Sequence, residues 1–281
     1  MKFILLISPL LSLVRSFSFE RADESQALVG TNTKAEKYGY VAAIHFEGPE
    51  SKAYCAGTLI APRFVLTSSL CLLTSMHDVY VSLGSTLRPR GDTHEFESIR
   101  VVRSFVHPLM TLEEGDLTPE HDVGIFMLAT SSKNQPANLP AAKGSVGKPG
   151  AMATTFDWNY QDGKQDFHSL NAETTKVIRN DKCSQIYDDV NQTTVEHYVI
   201  CTGNANCKGN MGSPLVVNGT IAGVMTTGLG IEKCGKVPPL FARVSIELEF
   251  IDEVLNGGDP GEMTSLLTDG TGFPLEDLFQ I

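Results

Sequence analysis

Short apolar runs alternate with turn residues from about Leu28 to Val244. The runs GYVAAIHF, CAGTLIAP, FVLTSS, VYVSLG, VGIFML, PLVVNG and TIAGVM are rich in Val, Ile, Leu and Phe, and Gly, Pro, Asn or Asp usually bounds them. Many short strands at turn-rich intervals predict an all-β domain, a barrel or a sandwich. Val216-Val217-Asn218-Gly219-Thr220-Ile221 predicts a hairpin, because Asn-Gly fits the tight turn that twists with its strands. One segment departs from this pattern. In SIELEFIDEVL, Ser245 to Leu255, the positions Ile246, Phe250, Ile251 and Val254 fall near helical spacing. A C-terminal helix is expected there, with Ser245 as its cap and Gly257-Gly258 beyond its end. Three residues after Ser245 stands Leu248 rather than Glu or Gln, so no capping box forms. Residues 256–281 read as a tail, with NGGDPGEM as a linker and FPLEDLFQI apolar and acidic.

The N-terminus has its own pattern. Lys2 precedes the apolar run Phe3 to Val14, and Ser16-Phe17-Ser18 places small residues at alternate positions. The order fits a secretion signal over residues 1–18, cleaved after Ser18, and the run is too short to span a bilayer. The competing reading is a buried N-terminal element. No later segment is long and apolar enough for a membrane span.

The chain has 281 residues, 42% hydrophobic and 20% charged. A single all-β unit runs to roughly 200–250 residues, so one domain with short ends is expected. The formal net charge of -11 lacks the basic footprint of a nucleic-acid or heparin binder. Six cysteines, Cys55, Cys71, Cys183, Cys201, Cys207 and Cys234, agree with secretion. Count alone fixes none of their possible pairings. No CxxC pair is present and His is not clustered near Cys in the sequence, which argues against zinc; no cofactor or metal is expected. Asn191-Gln192-Thr193 and Asn218-Gly219-Thr220 are acceptor sequons for glycans in a secreted chain.

The chemistry-bearing stretch is CKGNMGSPLV, from Cys207. With it stand CAGTLIAPRFVLTSSLC, Cys55 to Cys71; HDVGIFML, His121 to Leu128; VPPLFARV, Val237 to Val244; and LVGT at Leu28. In order and spacing these blocks resemble the trypsin/chymotrypsin family, the S1 serine peptidases, from Leu28 to about Leu255. The resemblance implies a domain over 28–255 built of two six-stranded antiparallel β-barrels with a C-terminal helix. It also implies the disulfides Cys55–Cys71, Cys183–Cys201 and Cys207–Cys234.

The family mechanism needs a hydroxyl nucleophile, an imidazole that takes its proton, and a carboxylate that orients the imidazole. The carboxylate position is Asp122. The imidazole position, just before the second cysteine of the first block, is Leu70, and the nucleophile position is Met211. Leucine accepts no proton, and a thioether has none to give. Two of the three roles are empty, so the resemblance is to an inactive homologue with no catalytic residues. Ser68, Ser69 and Ser213 carry hydroxyls close by, but a serine without a base is unactivated; the plain reading of Ser68 and Ser69 is polar filling of a turn. His121 neighbours Asp122, yet adjacent side chains of an extended chain point to opposite faces.

The activation apparatus departs from the family as well. Ala27, not a basic residue, precedes Leu28, and Asn210 replaces the aspartate that pairs with the freed amine. Ala205 stands near the base of the specificity pocket, where it offers no acid. Gly209 keeps an oxyanion-hole position, and Pro239 stands where a pocket-wall glycine is usual. The frame is kept and the chemistry is not, which favours a protein that works by binding.

Among triad-lacking homologues, an acidic, stand-alone, three-disulfide unit with Asn210-Met211 is similar to the glucanase inhibitor proteins of oomycete plant pathogens. That resemblance implies a secreted, extracellular protein whose partner is a secreted host protein, an endo-β-1,3-glucanase. Two further classes stay open: a decoy that sequesters peptidase inhibitors, and an active hydrolase with a rewired site.

Overall fold

The computed structural model describes residues 31–32, 38–46, 48–49, 51, 53–72, 78–84, 97–111, 118–161, 164–188, 195–203, 210–226, 237–258 and 260. A two-residue strand, β1 (Thr31–Asn32), leads into a first barrel of β2 (Val41–His45), β3 (Ala53–Ala61), β4 (Phe64–Thr67), β5 (Tyr80–Leu83), β6 (Glu97–Val106) and β7 (Gly124–Leu128). These pair antiparallel in the order β2-β3-β4-β7-β6-β5. The barrel closes where Ala43, Ile44 and His45 of β2 lie opposite Ser82, Val81 and Tyr80 of β5.

The second barrel contains β8 (Met152–Gln161), β9 (Lys164–Ile178), β10 (Val199–Thr202), β11 (Pro214–Val217), β12 (Thr220–Met225) and β13 (Leu240–Arg243). Their order is β9-β10-β13-β12-β11-β8, and β8 pairs back onto β9 to close it. β1 adds to the edge of β9, with Thr31 opposite Ala172. The two six-stranded antiparallel barrels agree with the expected architecture.

Burial explains why several strands read as unbroken apolar runs. Every residue of β2 and of β11 is buried, so neither strand has a wet face to carry polar residues. Ile44, Cys55, Leu59, Val65, Val81, Leu83, Phe126 and Leu128 form one core cluster. Ala153, Val177, Ile200, Leu215, Ala222 and Phe241 form another. A third cluster ties the barrels together: Leu66, Phe105, Val123 and Ile125 of the first pack with Ile221, Val224, Val244, Phe250, Ile251 and Val254. The site described below lies along this seam.

The Asn218-Gly219 turn is as the pattern predicts. Both residues have positive φ, 50° and 77°, and Val217 pairs with Thr220 across the turn; this is the primed turn that Asn-Gly favours. The C-terminal helix is α2 (Leu248–Leu255). It ends as expected: Gly258 N–H donates to Glu253 C=O and Gly257 N–H to Val254 C=O, the paired bonds of a Schellman ending. Its start corrects the expected cap. A 3-10 turn, Val244–Ile246, precedes the helix, and the residue at the cap position is Glu247. Ser245 is buried, and its hydroxyl accepts the N–H of Gly144 at 3.1 Å instead.

A second helix, α1 (Asn180–Asp188), was not among the expected elements. It buries Cys183 and Tyr187, one turn apart, and the Tyr187 hydroxyl donates to Pro238 C=O at 2.6 Å. A two-residue apolar stripe is too short to announce a helix in the sequence.

Candidate functional site

The site begins where β4 ends. Ser69–Cys71 forms a single 3-10 turn, and Ser68 caps it by accepting Leu70 N–H at 3.2 Å. Asp122, just before β7, faces this turn with its carboxylate fully buried. Ser68 Oγ lies 2.7 and 2.9 Å from the two carboxylate oxygens, Ser69 Oγ donates to Oδ1, and Leu70 N–H approaches Oδ1 at 3.4 Å. Two hydroxyls and an amide therefore satisfy a carboxylate that burial would otherwise strand. This corrects the reading of Ser68 and Ser69 as polar filling: they hold Asp122. Both serines are 0% exposed, so neither presents its oxygen to an incoming substrate.

Leu70 is 2% exposed. It is a plug in the turn, not a contact surface. Met211 is different. It is partly exposed and packs against the first barrel's core cluster. Its carbonyl accepts Ala56 N–H at 2.8 Å and lies 3.8 Å from Cys71 Sγ. The loop from the second barrel is thus fastened to β3 and to the Cys55–Cys71 bridge, and Leu70, Asp122 and Met211 converge around that bridge.

The next residue, Gly212, makes the close approach possible. Its φ is +86°, and a Cβ there would stand 2.1 Å from Ala56 O and 2.2 Å from Thr67 Oγ1. Gly212 N–H donates to Met225 C=O and Met225 N–H to Ser213 C=O, each at 2.8 Å, which anchors the loop's other side to β12. Asn210 and Ser213 are buried beside it.

His121 does turn away from Asp122, but not because the chain is extended. Its φ is 51°, and its ring meets Glu247, with Nδ1 2.9 Å from Oε2. His107 completes a group of three with them. Nothing in the sequence links positions 107, 121 and 247; only the docking of α2 joins them. Pro239 is buried, and its carbonyl accepts Thr202 N–H at 3.4 Å.

Two disulfides are formed as the family motif implies, Cys55–Cys71 and Cys183–Cys201. Cys207, Cys234, Asn191, Ala205, Gly209, Ala27, Leu28 and residues 1–18 lie outside the described residues. Asn218 is exposed at the tip of its hairpin. Peptide mapping without reduction is expected to return both observed bridges and a third peptide pair joining Cys207 to Cys234. A free thiol on Cys207 would contradict that third bridge.

Comparison with known proteins agrees with the barrels and the loop. The trypsin family profile matches residues 28–251. The chain belongs to the trypsin family. A Saccharopolyspora erythraea protein named Trypsin is 30% identical over 213 residues, 75% of this chain and 90% of that protein. Glucanase inhibitor protein 2 of Phytophthora infestans is 27% identical over 273 residues, 90% of this chain and 99% of that protein. Among solved structures, neuropsin, a serine protease expressed in the limbic system of mouse brain, matches with a TM-score of 0.66 at 22% identity, over 81% of this chain and 99% of that one. The last likeness is one of fold. In this trypsin-family chain, the loop geometry is kept around residues whose side chains differ from those the family mechanism uses.

Proposed function

We propose that this trypsin-family protein is not a peptidase and acts by binding, and that its partner is a secreted host endo-β-1,3-glucanase whose action on wall glucan it blocks. One observation carries the first half: the only oxygen nucleophiles beside Asp122 among the described residues, Ser68 and Ser69, are buried and spent on its carboxylate, while Leu70 and Met211 stand where the family motif places base and nucleophile. A rewired hydrolase has no support from such a site, because a nucleophile needs both a base and a path to substrate. The second half is supported by relatives named glucanase inhibitor protein, which match up to 90% of this chain.

Supporting features follow the same reading. Disulfides suit an oxidising, extracellular setting, residues 1–18 serve as the signal, and Asn191 and Asn218 are the sites offered to glycans. Among the described residues, no helix is long and apolar enough to cross a membrane. The net charge of -11 disfavours nucleic acid. Leu70 being sealed in, contact with a partner over the old cleft falls to Met211 and the loops around it; methionine suits irregular contact surfaces.

The test is inhibition. Pure protein is mixed with a panel of plant endo-β-1,3-glucanases, and reducing sugar released from glucan is measured. Inhibition with a stable complex is the expected result. Absence of both at micromolar concentration removes the glucanase reading, and capture of peptidase inhibitors in its place would establish the decoy. Where inhibition occurs, Met211→Asp is expected to weaken it roughly tenfold or more, since docking would bury an unpaired charge. Unchanged inhibition would place the contact elsewhere on the surface.

A further inference from the structure

Beside the Asp122 site, the described residues contain one group of three side chains able to ligate a metal: His107 after β6, His121 before β7, and Glu247 ahead of α2. Their ligand atoms lie within 4.8 Å of one another. Two features of the geometry make a metal a poor fit. The imidazole rings are stacked, with centroids 4.4 Å apart and 6° between their planes. An ion bound to a ring nitrogen sits in the plane of that ring, and no point lies in two parallel, separated planes. In addition, His107 Nδ1 accepts Leu109 N–H at 3.1 Å. In a neutral ring the other nitrogen then carries the hydrogen, so Nε2 offers Glu247 a donor rather than a lone pair to an ion.

The same arrangement fits a proton. Glu247 Oε2 lies 3.3 Å from His107 Nε2 and 2.9 Å from His121 Nδ1, and the Glu247 side chain is 1% exposed. Glu247 stands at the cap position of α2 but makes no cap bond; its carboxylate reaches across to the first barrel instead. Phe250 of α2 packs on the His107 ring at 4.8 Å, and Phe250, Ile251 and Val254 share a core cluster with Phe105 and Val123, which flank the two histidines in sequence. Two other charged groups act on Glu247: Asp122, which opposes its negative charge, and Lys143, which favours it. The charged or titratable partners of His107 among the described residues are His121 and Glu247.

We propose that His107, His121 and Glu247 form a proton-operated latch that pins the start of α2 to the first barrel at neutral pH and lets go when His107 takes up a proton. The stereochemistry dictates the release. An incoming proton has one lone pair to occupy, on Nδ1, and that atom already faces Leu109 N–H. Protonation sets two donors against each other and lays an imidazolium flat on the ring of His121. Both conflicts are relieved by opening the turn from His107 to Met110, which is closed by Met110 N–H donating to His107 C=O and carries the exposed Leu109.

Burial first, and the neighbouring His121 second, push His107 down to about 4 from the usual 6.5. The unfolded chain therefore takes the proton before the folded one. Stability from this group is intact above pH 6.5 and is lost as pH falls from there to about 4, below which the loss levels off. Glu247 is pushed up by burial; it favours its protonated form in the folded state and so tempers the loss at its acidic end.

The experiment uses the whole protein. Imidazole resonances of His107 are followed by NMR from pH 7 to pH 3.5, together with hydrogen exchange of the Leu109 amide and the α2 amides. His107 is expected to titrate near pH 4, with α2 protection falling over the same interval. Between pH 7 and pH 4 the folding equilibrium constant is expected to drop by up to about 300-fold, the tenfold per pH unit of linkage over the interval from 6.5 to about 4. His107→Gln, which keeps a neutral donor and removes the titration, is expected to flatten most of that dependence. Titration of His107 near 6.5 in the folded protein would overturn the latch, as would α2 exchange that ignores pH. Zinc at neutral pH that shifts both histidine resonances would replace it with a metal site. Should His107→Gln fail to fold, the wild-type titration alone decides.

Discussion

Incubated with a fluorophosphonate probe, the purified protein is expected to remain unlabelled and to cleave none of a panel of peptide amides above the uncatalysed rate. The family reaction requires that a hydroxyl lose its proton to an imidazole as it attacks. Met211 has no such proton and Leu70 no lone pair to receive one. Loss of a nucleophile or base from such a unit costs on the order of 10⁶ in turnover, so this chain starts from background. Restoring residues one at a time is expected to fail as well. Met211→Ser supplies a hydroxyl with no base. In Leu70→His with Met211→Ser, the new imidazole would enter a slot that is 2% exposed, beside a carboxylate already occupied by Ser68, Ser69 and the backbone amide of residue 70. Freeing Asp122 would require Ser68 and Ser69 to go too. Stoichiometric labelling of the wild-type chain, abolished by changing a single serine, would sink this account of the site.

The parts of the fold that could be read in the sequence were those whose burial is expressed in the residues themselves. β2, β3, β4, β5, β7, β11 and β12 all appear as apolar runs because both of their faces, or nearly so, are covered. β6 alternates buried and exposed positions among Glu97, Arg100 and Arg103, and β8 and β9 carry Thr, Asn, Asp and Glu along a long ribbon; such strands are held by pairing with a neighbour and have little apolar signal of their own. Within the site, the motif fixed the places of Leu70, Asp122 and Met211 because loop geometry and disulfide spacing are local. It could not show that Ser68 and Ser69 turn onto Asp122, since that contact spans more than fifty residues of chain. Nor could it show the His107, His121 and Glu247 group, which depends on where α2 docks. Ser245 illustrates the same limit from the other side: a correct cap residue by type was diverted by Gly144, a partner about a hundred residues away.

Gly212→Ala is expected to be among the most damaging single substitutions in the chain. Two costs add. A residue with a Cβ at φ +86° sits in the left-handed region at roughly 1–2 kcal/mol. The Cβ would also stand 2.1 Å from Ala56 O and 2.2 Å from Thr67 Oγ1, and neither atom can yield freely. Ala56 and Thr67 are 0% exposed, and Thr67 Oγ1 donates to that same Ala56 carbonyl at 2.7 Å. Overpacking of this kind costs typically 1–3 kcal/mol, so a total of about 3 kcal/mol is expected, a fall in Tm of roughly 6–12 °C for a domain of this size. Gly150→Ala is the control. Its φ is +90°, but nothing lies within 4 Å of the added Cβ, so it carries the conformational cost alone, about 1–2 kcal/mol. Calorimetry of the two variants separates strain from clash. Equal losses would mean that the loop bearing Met211 is not seated against β3 and β4 as described. A larger loss for Gly212→Ala, accompanied by loss of partner binding that Gly150→Ala leaves intact, would tie the seat of that loop to the binding surface, because the clash can be relieved only by lifting Met211 away from Ala56 and the Cys55–Cys71 bridge.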